Sequence, residues 1–141
     1  MVVVSDQSSI KTLNLHLPSA LARVTVLVLN WNGLHHLQDL LPSLSMTRYA
    51  NHELVVLDNG SCDGSQNWVR QQFPHIQVID FQRNLGFAGG NNAGIQIAMS
   101  LGADYIVLLN NDTRVEPDWV EALVAAAEAD SSIAVCQSQL R

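Results

Sequence analysis

The chain has 141 residues, 48% of them apolar, and a formal charge of −6. That is enough for one ordinary domain with a sizeable core. The acidic balance excludes broad nucleic-acid binding, which needs clustered Lys and Arg, although backbone N–H groups or a bridging cation still let a negative protein hold a phosphorylated ligand.

Residues 1–22 are weakly patterned and read as a loose arm, with Val2 to Val4 as a short edge strand. Arg23 to Leu29 is β-branched and reads as the first buried strand. It ends in Asn30-Trp31-Asn32-Gly33, a turn signal. Leu34, Leu37, Leu40, Leu41 and Leu44 recur at helical spacing, and Pro42 kinks that helix or ends its first part. Glu53 to Leu57 is the second strand, followed by a polar cluster from Asp58 to Ser65. Asp63 or Ser65 suits the N-cap of a helix over Gln66 to Phe73, which Pro74 stops.

Ile76 to Phe81 is a third, short strand. The Gly-rich stretch Arg83 to Gly94 follows it, and a helix leaves through Ile95, Ala98, Met99 and Leu101 to close at Gly102. Tyr105 to Leu109 is an unbroken apolar run, the mark of a strand buried on both faces. Pro117 fits the N1 position of a helix carrying Trp119, Val120, Leu123, Val124 and Ala127. Ile133 to Cys136 begins one more strand. Alternation of this kind predicts an α/β fold, a mainly parallel sheet with helices on its faces. The loops after Leu29, Leu57 and Leu109 then lie on one edge, where such sheets bind ligands.

Each loop has a functional and a structural reading. Asn110 to Thr113 hold a metal ion or the polar end of a ligand, or they are turn formers leading into a helix. Asp58 accepts from a ribose hydroxyl or base N–H, or caps its own loop. The glycines at 86, 89, 90 and 94 admit a ligand, or let helix and sheet pack tightly. They match neither the dinucleotide fingerprint nor the phosphate-loop pattern. Arg83 at the mouth of that loop can pair with a phosphate. One carboxylate, Asp112, is a poor cage for Mg²⁺ or Mn²⁺, so a site completed by a diphosphate fits better than a structural ion. Cys62 and Cys136 lack metal-type spacing and read as reduced thiols of a cytosolic protein. No apolar run approaches the roughly 20 residues of a membrane span, and the first residues do not pattern as a signal peptide.

Four blocks in order at strand ends carry a family likeness: Val28 to Gly33, Leu57 to Ser61 with Asp63 and Ser65, Asn84 to Gly94, and Leu108 to Thr113. With them the chain resembles the family 2 glycosyltransferases of GT-A fold, in their rhamnosyltransferase-like branch. The resemblance implies a Rossmann-like nucleotide-diphospho-sugar-binding sheet over residues 23–141, cut short at its C-terminus. It implies metal-assisted, inverting transfer of a sugar to an acceptor hydroxyl, in cell-surface polysaccharide synthesis. The donor would be UDP- or dTDP-linked and the acceptor a saccharide or lipid-linked saccharide. The location would be cytoplasmic, peripheral to the inner face of the membrane.

By resemblance Asn30, Trp31 and Asn32 flank the base and Asp58 binds it, with Asn59 and Ser61 beside it. Arg83, Asn84, Gly86, Phe87, Gly90, Asn91 and Asn92 line the donor pocket. Asn110-Asn111-Asp112 falls on the Asp-x-Asp motif, with Asp112 as ligand of Mg²⁺ or Mn²⁺. Asn110 replaces the motif's first aspartate, and Asn91 stands where many members have Arg. No residue of the chain matches the family's catalytic base; Asp118 and Glu121 read as solvated. The competing expectations are a non-catalytic nucleotide-binding or association module, which pairs with itself or a complementary chain, and a nucleotidyltransferase. The second lacks its basic Gly-rich loop after the first strand.

Overall fold

The computed structural model describes residues 2–5 and 21–138. Five strands form one sheet: β1 (Val2–Ser5), β2 (Val24–Asn30), β3 (His52–Asp58), β4 (Gln77–Asp80) and β5 (Tyr105–Asn110), in the order β1-β5-β2-β3-β4. β5, β2, β3 and β4 run parallel, and β1 pairs antiparallel with β5 at the edge. The expected edge strand at Val2 to Val4 is present; the rest of the expected arm lies largely outside the described residues.

Four helices connect the strands: α1 (Leu34–Leu44), α2 (Ser65–Gln72), α3 (Gly86–Ser100) and α4 (Trp119–Ala129). Side chains alternate along each strand, so the sheet has two apolar faces. Val24, Val26 and Val28 of β2 join Leu37, Leu40 and Val120 on one face, which α1, α2 and α4 cover. Leu27, Val55, Leu57 and Ile106 meet Ala98 of α3 on the other. Burial on both faces explains the near-continuous apolar runs of β2, β3 and β5. The chain winds outward from β2 through β3 to β4, then α3 crosses back to deliver β5 on the far side of β2. The topological switch point therefore lies between β2 and β5, where such sheets open a crevice.

Several local expectations change. Pro42 neither ends nor interrupts α1, which runs on to Leu44. Pro42 is on the exposed side, while Leu40, Leu41 and Leu44 are buried, so core packing outweighs the missing N–H. Pro117 precedes the N-cap Asp118, two residues before α4 begins, and its carbonyl accepts from the Arg48 N–H at 2.9 Å. Gly102 is the expected left-handed residue after α3, with its N–H on Met99 O at 3.0 Å and that of Ala103 on Ala98 O at 3.1 Å. Ile133 to Cys136 form no strand. Ile133 and Cys136 are only partly buried, and Cys136 packs against the core from an irregular segment, so apolar anchoring replaces strand pairing there.

The largest difference concerns the Gly-rich stretch. Gly86 to Gly94 is not a loop but the first turns of α3. A Cβ on Gly94 would lie 2.2 Å from Leu57 Cδ1, and one on Gly90 2.6 Å from Leu29 Cδ1. These two glycines let the helix lie close on the sheet. Helix propensity disfavours such a start, and tertiary packing overrides it.

Candidate functional site

The parallel register brings the strand ends level: Asn30 stands opposite Asp58, and Leu29 opposite Asn110. A cavity of about 220 Å³ opens at the switch point, lined chiefly by Leu29, Phe87, Asn91 and Asn110 to Asp112. Its floor is the end of β2 and β5, and one wall is the N-terminal turn of α3. That helix start has no acidic residue in its first turn; Asn84 Oδ1 takes the Gly86 N–H at 2.7 Å, and the next N–H groups, of Phe87 and Ala88, have no side-chain partner among the described residues and are left for an anion.

The polar residues of the three loops divide into two sets. One set is buried and spoken for. Asp58 Oδ2 accepts from the Ser61 N–H at 2.9 Å and from Gln66 Nε2 at 2.8 Å, while its buried Oδ1 has no partner. Asn59 Oδ1 accepts from the Leu85 N–H at 2.8 Å, and its Nδ2 donates to Asn84 Oδ1 at 3.0 Å and Gly86 O at 3.2 Å. Asn59 thus ties the end of β3 to the start of α3. Gly60, at φ +77°, lets this loop abut the backbone of Arg83, 2.8 Å from where a Cβ would sit. Asn30 is wholly buried, its Oδ1 accepting from Asn111 Nδ2 at 3.0 Å and its Nδ2 donating to Ser65 Oγ at 3.0 Å. The side-chain amides of Asn30 and Asn59, both expected at the donor site, are engaged by partners inside the protein. Asn91 is also buried, and its Nδ2 donates to Phe87 O at 3.0 Å within the helix.

The other set is open. Asn110 and Asp112 are exposed, and Asp112 makes no side-chain hydrogen bond or ion pair among the described residues. Trp31 is 58% and Phe87 70% exposed, unusual for large apolar rings. Arg83, Asn84, Gly86 and Asn92 also face solvent along the α3 side. Arg83 is the one arginine without an ion pair among the described residues. Asn32 takes the left-handed region at φ 49°, held by its N–H on Ser61 Oγ at 2.9 Å and its Oδ1 accepting from the Cys62 N–H at 2.8 Å.

Asp63 caps across the chain rather than only its own helix. Its Oδ2 accepts from the Leu34 N–H, the first of α1, at 2.9 Å, and its Oδ1 from the Ser65 N–H, the first of α2, at 3.1 Å. Burial pushes this carboxyl up, but the hydrogen bonds from Ser65 and the Leu34 backbone outweigh burial and hold it below its ordinary 3.8. The N-cap itself is Gly64, in the left-handed region. The sequence offered no signal for Gln66 as a partner of Asp58. The role of Gly33 was equally hidden: a Cβ there would meet Asn111, which follows another strand, at 2.5 Å.

Among the described residues no three His, Cys, Asp or Glu side chains cluster as a self-sufficient metal cage. The donors near the cavity are a single carboxylate and amide oxygens. Hard oxygen donors of this number suit Mg²⁺ or Mn²⁺ only when a ligand's phosphates and water complete the shell. Among the same residues no helix is long and apolar enough to cross a membrane.

The family profile described as glycosyl transferase family 2 matches residues 25–141. The glycosyltransferase GlyA of Streptococcus pneumoniae is 28% identical over 103 residues, 72% of this chain and 14% of that protein. The N-acetylglucosaminyl-diphospho-decaprenol L-rhamnosyltransferase of Mycobacterium tuberculosis is 29% identical over 100 residues, 65% of this chain and 33% of its own length. Among solved structures, the mannosyltransferase PcManGT from Pyrobaculum calidifontis, in complex with GDP-Man and Mn²⁺, superposes with a TM-score of 0.69 at 23% identity, covering 82% of this chain and 35% of that one. Residues 1–349 of S. aureus TarS, in complex with UDP-GlcNAc, give 0.66 at 19% identity, covering 76% and 31%. These likenesses place the fold among the GT-A glycosyltransferases. The chain spans about a third or less of the length of these relatives.

Proposed function

This chain belongs to glycosyl transferase family 2, and from that premise we propose that it forms the donor-binding part of a metal-assisted, inverting glycosyltransferase. The observation that carries the reading is the pairing of two unlike carboxylates on one sheet edge. Asp58 is buried with one oxygen unpartnered, and Asp112 is exposed beside the cavity. An unpaired buried acceptor costs about 1–3 kcal/mol, which a base N–H of the donor nucleotide would recover. Asp112, with the amides of Asn110 and Asn111, would hold the divalent cation on the diphosphate side. When bound, that cation supplies charge stabilisation to the departing diphosphate. The Phe87 and Ala88 N–H groups of α3, and Arg83, which has no ion pair among the described residues, add positive potential along the same wall. Trp31, Asn32 and Ser61 would border the base, and Phe87, Asn84, Gly86 and Asn92 the rest of the donor.

The nucleotide would be UDP- or dTDP-linked, and the acceptor a saccharide or lipid-linked saccharide at the inner face of the membrane. We assign no residue of this chain as the base that deprotonates the acceptor hydroxyl. The short edge strand β4, with Val78 and Ile79 half-buried, offers a surface for a second copy or a complementary chain.

Titration calorimetry with UDP, dTDP and GDP, with and without Mn²⁺, tests the reading. At least one should bind, more tightly with the cation. A folded sample that binds none of the three refutes it. Transfer by the isolated chain should be weak or absent, read as nucleotide release from a donor sugar.

A further inference from the structure

Asn30, at the end of β2, is the one side chain among the described residues that bonds to both of the other loops of the crevice. Its Nδ2 donates to Ser65 Oγ at 3.0 Å and reaches Ser61 Oγ at 3.4 Å, both after β3. Its Oδ1 accepts from Asn111 Nδ2 at 3.0 Å, after β5. Ser61 and Gln66 in turn hold Asp58 Oδ2. The Asn30–Asn111 bond is the only side-chain hydrogen bond, among the described residues, that ties the Asn110–Asp112 turn to another element. A fully buried side chain here must accept on one side and donate on the other without carrying charge, and the Asn30 amide does both. A carboxylate would set a second charge beside Asp58.

Gly33 gives independent support. A Cβ there would lie 2.5 Å from Asn111 Nδ2 and 2.6 Å from Asn30 Oδ1, the two ends of that same bond. Its φ of −114° is open to any residue, so the glycine is required by space and not by conformation. The turn after β2 is thus built around the bond.

We propose that Asn30 is a positioning residue, which locks the Asp112 turn to the base loop so that nucleotide and divalent cation bind as one coupled unit. The proposal rests on the donor-site reading above. Residues behind a metal site that orient its ligands change cation affinity by roughly 10–100-fold when lost. Without the bond, Asp112 would still be present but no longer held in register with Asp58.

The test measures binding of UDP and GDP to the 141-residue chain by calorimetry, in EDTA and in Mn²⁺. In Asn30→Ala and in Gly33→Ala the tightening caused by Mn²⁺ should fall roughly tenfold or more. In Gly33→Ala, which leaves the Asn30 side chain in place, affinity in EDTA should move by less than about twofold. Asn30→Ala added to Asn111→Ala should cost no further coupling, because both cut one bond. Equal losses with and without Mn²⁺ in Gly33→Ala, full retention of the Mn²⁺ effect in either variant, or an additive double variant would each overturn the proposal. If Asn30→Ala does not fold, Gly33→Ala disturbs the same bond without removing the Asn30 side chain. Failure of the unsubstituted chain to bind either nucleotide would sink the donor-site reading itself, and this inference with it, before any variant is made.

Discussion

Asn30 and Asn110 are both the last residue of a strand, on neighbouring parallel strands one register step apart. Asn30 is fully buried, with its amide engaged on both sides. Asn110 is exposed, and its side chain makes no hydrogen bond among the described residues. The same contrast separates Asp58 from Asp112. One half of the crevice is preorganised: its polar groups already hold one another. The other half is left for a ligand to complete. The same side chain at neighbouring strand ends therefore takes different roles, because the one-step offset turns the two onto opposite faces of the sheet.

Stability measurements offer the first way to break this division. Asn59→Ala removes three hydrogen bonds at the preorganised end and should cost about 2–3 kcal/mol in denaturant unfolding. A loss under about 0.5 kcal/mol would show that the buried network is not holding α3 to β3.

Gly94→Ala tests whether helix–sheet contact positions the cavity wall. Overpacking against Leu57 should cost about 1–3 kcal/mol, offset in part by up to about 1 kcal/mol of helix propensity. A more stable variant would mean that α3 has room to spare.

Asp63→Asn should cost about 1 kcal/mol near neutral pH, the scale of a lost cap. Its folded pKa lies below the ordinary 3.8, so its contribution is complete above that value and fades as pH falls through the folded pKa. Melting curves of variant and parent should therefore converge in acid. A gap that persists in acid would assign the loss to geometry and not to charge.

Asp112→Ala should be the mildest for the fold, within about 0.5 kcal/mol, because the residue is exposed and unpaired. It should nevertheless abolish Mn²⁺-dependent nucleotide binding. Undiminished binding would reduce Asp112 to a turn residue and erase the contrast with Asp58.

Four of the five strands were legible as short apolar runs, three helices from apolar spacing and α2 from its cap candidates and Pro74, and the converging edge followed from their alternation. β1 was legible too, though only as a β-branched triplet near the N-terminus. Ile133 to Cys136 misled because a short β-branched run looks the same whether it finds a partner strand or only a patch of core. Gly86 to Gly94 misled because glycines disfavour helix locally, and the contact that outweighs this comes from Leu29 and Leu57, far away in sequence.

The candidate residues were found as types at strand ends, but not sorted. The sequence by itself determined the alternation, the parallel sheet and the chemistry gathered on its carboxyl edge, since these follow from local periodicity and chain direction. Only the tertiary structure decided that Asn30 and Asn59 brace the loops, that Asp58 keeps an unsatisfied oxygen, and that Asp112 stays open. The reason is physical: burial and hydrogen-bond partnership are properties of neighbours in space. The side-chain partners of Asn30 and Asn59 lie 25 to 81 positions away along the chain.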